Sequence, residues 1–152
     1  MRFYKGRKID YVLKWMVFMR VSVRGILIQD DQLLVIHRIK GDREYYVIPG
    51  GGVEDHETLI QALKRELLEE VGIQVDVLNE QPVYTYHDQD SIQYFYVVSY
   101  VSGEYGTGSG LEFKEQVNTN QYLLEFISFK DIKNICLVPE FLKEKLVKDF
   151  FK

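Results

Sequence analysis

Residues 59–71 leave the backbone little choice. Leu59, Ile60, Leu63, Leu67 and Val71 recur at helical spacing, with Gly50, Gly51 and Gly52 before the run and Gly72 after it. At about 100° per residue these apolar side chains cover an arc of about 120°, the stripe of a helix that packs on a core. The spacing predicts a helix from about Glu57 to Val71, closed by Gly72 as its C-terminal cap. With Leu59 at zero, Glu66, Glu69 and Glu70 fall at about 340°, about 280° and about 20°. The three carboxylates therefore share one flank, and Glu70 sits inside the edge of the apolar stripe. An unpaired, partly buried carboxylate is costly, and like charges three or four residues apart repel. A cation held among them relieves both penalties. Mg²⁺ is typically bound by a few carboxylates plus the phosphate oxygens of a substrate, so the segment points to metal-assisted chemistry on a phosphate ester or anhydride. For the glutamates alone, a solvated helix face with Arg65 paired to a neighbour is the competing reading.

The wider spacing is more specific than the helix. The chain reads Gly51, five residues, Glu57, seven residues, then Arg65-Glu66-Leu67-Leu68-Glu69-Glu70-Val71-Gly72-Ile73. This resembles the Nudix box of the Nudix hydrolases, G-x5-E-x7-R-E-U-x-E-E-x-G-U with U apolar, and matches it at every fixed position. Pro49-Gly50 resembles the usual lead-in. One departure is His56, where many members carry glycine, which tolerates a positive φ at little cost. The resemblance implies an α/β (α+β) fold, an α/β/α sandwich with a mixed central β-sheet. It also implies hydrolysis of a nucleoside diphosphate linked to another group, by water attack at phosphorus with Mg²⁺ or Mn²⁺. Carried over position by position, Glu69 and Glu70 match the principal metal-binding glutamates. Glu66 matches a further ligand or the group that orients water, and Arg65 the arginine that fixes the carboxylates. Glu57 and Gly51 match positions that organise the loop and the helix start, and the carbonyl of Gly50 is a further candidate ligand.

The general base is expected outside the box. Glu104, Glu112 and Glu115 flank or follow a Gly-rich stretch, and Glu112, just after Gly108-Ser109-Gly110-Leu111, is the preferred candidate because a mobile loop could deliver it. Arg38, at the end of a strand, is the candidate for a substrate phosphate, with a surface ion pair as the alternative. His37 and His87 read as structural or exposed. Tyr84 and Tyr86 share one strand face, and Tyr94 and Tyr96 another; such faces are usually core or cover, although a nucleobase can stack on one. Additional segments that would mark an NADH-directed or coenzyme-A-directed branch are missing. Nucleoside triphosphates, ADP-ribose and nucleotide sugars stay open as substrates. A nucleotide sensor that binds without turnover is the alternative class, but such a protein is expected to lose box carboxylates, and this chain keeps them.

Charge is uneven. Residues 1–46 carry ten Lys/Arg against five Asp/Glu, and residues 53–80 carry two against eight. An acidic metal site beside a basic segment suits an anionic small molecule, while a net charge of −4 gives no case for a nucleic-acid polymer as partner. With 152 residues and 46% hydrophobic content, one packed domain over 1–152 is expected. Cys136 is the only cysteine, so neither an intramolecular disulfide nor a Cys/His zinc cluster can form, and a local apolar site is its expected place. The apolar run Trp15–Met19 is too short for a membrane span and lacks a cleavage pattern, so a cytoplasmic setting is expected.

Strand character appears over 17–29 and 33–39, separated by the Asp30-Asp31 turn signal and read as a hairpin. A short strand at 45–48 ends at Pro49, and 50–56 reads as a loop. Further strands are expected over 75–78, 83–87, 92–101 and 122–129, with a loop over 102–110. A C-terminal helix follows Pro139 and carries Phe141, Leu142, Leu146, Phe150 and Phe151. Residues 1–16 are expected to form an arm or an extra helix, and the aromatics Phe3, Tyr4, Tyr11, Trp15 and Phe18 are expected to cover either the core or a partner subunit in a homodimer.

Overall fold

A computed structural model of the chain describes residues 19–109 and 119–151. The expected arm over 1–16 lies outside those residues. Among the described residues there are ten strands and two helices: β1 Arg20–Ile26, β2 Ile28–Gln29, β3 Gln32–Lys40, β4 Arg43–Val47, β5 Gly50–Gly52, α1 Leu59–Val71, β6 Ile73–Val77, β7 Tyr84–His87, β8 Ser91–Gly103, β9 Asn120–Ser128, β10 Leu137–Val138 and α2 Phe141–Phe150. A 3-10 turn spans Ile132–Asn134.

The mixed sheet takes the form of two mixed sheets. In the first, β8 is the hub: β1 runs parallel to it, while β7 and β6 pair antiparallel with its two halves. β1 and β7 both pair with Ile92–Phe95, so they flank β8 on opposite edges. In the second sheet β3 lies between β4 and β9, both antiparallel, and β10 adds in parallel to β4. The expected strand 17–29 is broken at Leu27, which is 1% exposed. β1 belongs to the first sheet and β2 to the second, so the expected hairpin is confined to β2 and β3. A continuous apolar run carries no signal for such a crossing. The Asp30-Asp31 turn stands as expected. Both residues have positive φ, 51° and 59°, the pairing a two-residue type I′ turn requires.

The loop expected over 50–56 begins with a strand. Gly50–Gly52 pair antiparallel with Ser22–Arg24 as β5, because the bare glycine backbone can lie close against β1. The helix starts two residues later than expected. Thr58 is its N-cap, with its side chain accepting from the Gln61 N–H at 3.1 Å and the Gln61 side chain accepting from the Thr58 N–H at 2.9 Å. This reciprocal capping box satisfies two orphan donors. Gly72, at φ 90°, closes the helix as expected, with its N–H directed to the carbonyls of Leu67 and Leu68.

Two apolar clusters follow from the alternation along β1, β7 and β8. Val23, Tyr96 and Val98 face α1 with Leu63, Leu67 and Val71. Ile26, Tyr84 and Phe95 face α2 with Leu142 and Leu146. The tyrosine pairs split accordingly: Tyr94 and Tyr96 belong to the first cluster, Tyr84 and Tyr86 to the second. Cys136 is exposed and fills no apolar site, since it lies on the irregular approach to β10 and contributes its carbonyl to the Tyr46 N–H. Among the described residues no helix is long and apolar enough to cross a membrane.

Candidate active site

Arg65 organises the acidic end of α1. Its Nε and Nη2 meet the two carboxylate oxygens of Glu57 at 2.7 and 2.9 Å, a bidentate pair. Nη1 reaches Glu66 Oε1 at 2.9 Å and Glu69 Oε2 at 3.2 Å, and Nη2 also donates to the Gly52 carbonyl at 2.9 Å. The arginine thereby ties the Gly-rich segment, the residue before the helix and two of its glutamates to one planar group. The side-chain hydrogen bonds from Arg65 hold the Glu57 carboxyl down at about 2, and the same bonds raise the guanidinium.

Glu70 is placed differently. It is 9% exposed, and its Oε2 accepts the Gly50 N–H at 2.8 Å. Gly50 has φ 153°, and a Cβ there would collide with the Val23 carbonyl. A Cβ on Gly51 would collide with the Glu66 carboxylate. Both glycines are thus required by close approach, one to β1 and one to a box glutamate. His56 has φ 67°, a left-handed conformation in which a glycine is more comfortable.

The described residues bring Glu57, Arg65, Glu66 and Glu69 into one network and set Glu70 beside Gly50. They do not form a ready-made cage: among them no three His, Cys, Asp or Glu side chains converge closely enough to hold a metal. Arg65 Nη1 lies between Glu66 and Glu69, while Glu70 is turned to the backbone. The donor chemistry, hard carboxylate oxygens at the mouth of a Gly-rich turn, fits a Mg²⁺ site whose shell water and substrate phosphate complete.

The loop after β8 is packed on the same helix end. Gly106 donates to the Val71 carbonyl at 2.9 Å. A Cβ on Gly108 would collide with the Glu69 carbonyl. β8 itself runs on to Gly103, two residues into the expected loop. Glu104 is exposed. Glu112 and Glu115 lie outside the described residues.

Arg38 is 7% exposed, with its guanidinium 3.4 Å over the Tyr122 ring and Nη1 donating to Asn120 Oδ1 and the Gln121 carbonyl at 3.0 and 3.1 Å. No ion pair joins it to Glu66, Glu69 or Glu70 among the described residues. His37 is structural, as expected. Its two ring nitrogens meet Glu44 and Glu125 at 2.6 and 2.8 Å, and its ring stacks on Tyr46.

A cavity of about 280 Å³ opens between the first sheet and the β10–α2 corner, lined by Arg24, Ile48, Tyr86, Gln93, Pro139 and Glu140 among others. Sequence reading missed this wall. Its available signal was a charged residue, Arg24, in the middle of an otherwise apolar alternation along β1. The cavity adjoins the carboxylates through the chain itself, since Ile48 lines it and Gly50 binds Glu70. Burial lowers the Arg24 guanidinium from its ordinary value, while the nearby Glu70 carboxylate works in the opposite direction.

The NUDIX domain family model matches residues 19–138. This chain belongs to the Nudix family. Among curated relatives, an ADP-ribose pyrophosphatase of Methanocaldococcus jannaschii is 28% identical over 137 residues, covering 87% of this chain and 73% of that protein. An 8-oxo-dGTP diphosphatase of Buchnera aphidicola is 42% identical over 64 residues, covering 41% of this chain and 52% of that protein. Thus the chain's match spans about half the Buchnera protein's length. A Nudix hydrolase structure from Nitrosomonas europaea superposes with a TM-score of 0.64 at 22% identity, covering 87% of this chain and 88% of that one. That likeness concerns the fold. As a Nudix member, the chain carries its complete box from β5 through α1 to the first residue of β6.

Proposed function

We propose that this protein is a metal-dependent pyrophosphohydrolase that cleaves the diphosphate linkage of a nucleoside diphosphate derivative by water attack at phosphorus. Nudix membership carries the coarse statement, a hydrolase of phosphoanhydride bonds. The observation that carries the finer one is the Arg65 network, which holds Glu57, Glu66 and Glu69 in one array beside the Gly50–Glu70 contact. Such positioning matters because catalysis of phosphoryl transfer is mainly orientation plus charge stabilisation. Mg²⁺, with Mn²⁺ as substitute, supplies charge neutralisation and a lower pKa for bound water. Glu66, Glu69 and Glu70, with the Gly50 carbonyl, are the residues that would hold it. Arg65 and Glu57 fix the array, and Gly51 leaves room for Glu66. Glu112 is proposed as general base, and Arg38 as a phosphate contact through the N–H groups it does not give to β9. The relatives named for ADP-ribose and 8-oxo-dGTP keep both substrate classes in view.

The test is product release from nucleoside triphosphates, oxidised triphosphates, ADP-ribose and nucleotide sugars, with and without Mg²⁺ or Mn²⁺, for the wild type and Glu70→Gln. Removing a group that holds a metal forfeits several kcal/mol of charge stabilisation, so turnover should fall by about a hundredfold or more while the fold survives. Near-normal turnover in Glu70→Gln would overturn the metal assignment. Nucleotide binding with no cleavage of any substrate would favour the sensing alternative.

A further inference from the structure

The cavity beside the carboxylates has a polar wall whose donors and acceptors are fixed by the protein's own hydrogen bonds. Arg24 Nε points at Gln93 Oε1 at 3.3 Å, and Arg24 Nη1 donates to the Ile48 carbonyl at 3.2 Å. An arginine has no acceptor, so the Gln93 atom facing it must be the carbonyl oxygen. The amide nitrogen of Gln93 is thereby left as the group that can serve a ligand, and it is a donor. The remaining N–H groups of Arg24 are donors as well. β1 and β8 therefore offer this cavity a wall dominated by donors.

The other polar groups have the opposite character. Glu140, at the entrance to α2, and Asp88, at the turn between β7 and β8, line the same cavity and bring carboxylates that only accept. Hydrogen bonds from the Asp90 backbone and from the Ser91 side chain and backbone keep the Asp88 carboxyl below the usual carboxylate range. Tyr86 and Phe95 supply flat apolar walls between them. A ligand that matches needs adjacent acceptors on one edge, adjacent donors on another, and a planar body.

We propose that this cavity is a base-reading site selective for guanine, with Arg24 and Gln93 donating to O6 and N7, and Glu140 and Asp88 accepting from N1–H and the 2-amino group. The inference rests on the nucleotide-hydrolase reading above and names its base. Guanine carries its acceptor pair and its donor pair on separate edges. Adenine places its 6-amino donor against the donating wall. Uracil presents its acceptors singly, and cytosine sets its amino donor next to its acceptors. A wall of half-buried donors disfavours a base that cannot accept, because binding would cover those donors without pairing them.

The test uses binding, so it does not depend on turnover. Dissociation constants are measured by protein-observed NMR, without divalent metal, for GMP, AMP, UMP, CMP and ribose 5-phosphate. GMP should bind at least about fivefold more tightly than each of the others, the lower end expected for a good bidentate base contact. Gln93→Glu turns the donor into a second partner for the arginine, and Arg24→Lys removes the fork that orients the amide. Either change should bring GMP to the level of AMP. Ribose 5-phosphate binding as tightly as GMP would show that the wall holds phosphate, and would overturn the inference. Equal binding of all four nucleotides, no binding of any, or a GMP preference that survives both substitutions would overturn it too. GMP selectivity without hydrolysis of any nucleotide would leave the base-reading site standing and remove the hydrolase reading. Hydrolysis without base selectivity would do the reverse.

Discussion

At the scale of single residues, Arg65 carries more of the site than any glutamate. One guanidinium hydrogen-bonds three carboxylates and a backbone carbonyl. Lysine would keep the charge but lose the planar fork, so Arg65→Lys should cost activity by about 10- to 100-fold, the range for residues that orient metal ligands. Arg65→Gln tests the acid side of the same network. Glu57 is depressed from 4.5 to about 2. A carboxyl with a lowered folded-state pKa stabilises in full above its unfolded value and loses that contribution as pH falls through the folded one. The stability gap between wild type and Arg65→Gln should therefore be full at pH 7, and close between pH 4.5 and about 2. Denaturant melts across that range read it, and a gap that stays constant down to the lower limit counts against the pairing. His56 is the residue where the sequence flagged a departure and the structure gives it a physical cost, φ 67°. A left-handed non-glycine residue costs about 1–2 kcal/mol, and glycine returns part of that to the unfolded chain. His56→Gly should raise stability by less than about 1 kcal/mol, visible as a small upward shift in the denaturation midpoint.

At the scale of elements, α1 is held at its N-terminus by a side-chain capping box and at its C-terminus by the left-handed backbone of Gly72. Loss of the capping oxygen in Thr58→Ala should cost about 1 kcal/mol. Chemical denaturation measures this directly, and an unchanged midpoint would mean that Gln61 or water replaces the cap. The helix was legible because its apolar stripe has a period of its own, and the Asp30-Asp31 turn because two short polar residues interrupt two apolar runs. β5 was not legible, since three glycines read as a loop until β1 offers them a partner. β10 is two residues long and exists only because Tyr46 and Val47 lie beside it. The site divides in the same way. Every box residue was legible from spacing, whereas Arg24, Gln93 and Gly108 belong to no motif and acquire meaning only from what the fold sets against them. Gly108 is the clearest case, its backbone lying against the Glu69 carbonyl across the end of α1.

At the scale of the molecule, a cation held by the carboxylates at the end of α1 would favour the folded state over the unfolded one. A ligand that binds only the native state at a hundred times its dissociation constant adds about 2.7 kcal/mol. For a chain of this size each kcal/mol moves the melting temperature by about 2–4 °C. Saturating Mg²⁺ should therefore raise the melting temperature of the wild type by roughly 5–10 °C over the chelated protein. Glu70→Gln should lose most of that rise. Equal rises in both proteins would place the cation elsewhere.

The passage of one chain from β1 through Leu27 into β2 ties the two sheets together with a covalent beam. They cannot swing apart along that edge without breaking either β1–β8 or β2–β3 pairing. The cavity beneath Arg24 is closed on its far side by β10 and the start of α2, which are joined to the rest by the β10–β4 pairing, the packing of Leu142 and Leu146, the Phe141 ring contacts with Tyr84, Tyr86 and Phe95, and the Tyr84–Asp149 hydrogen bond. Leu146 is fully buried behind that corner and belongs to a different apolar cluster from α1, so a substitution that loosens it is expected to reach the cavity through α2 without touching a single carboxylate.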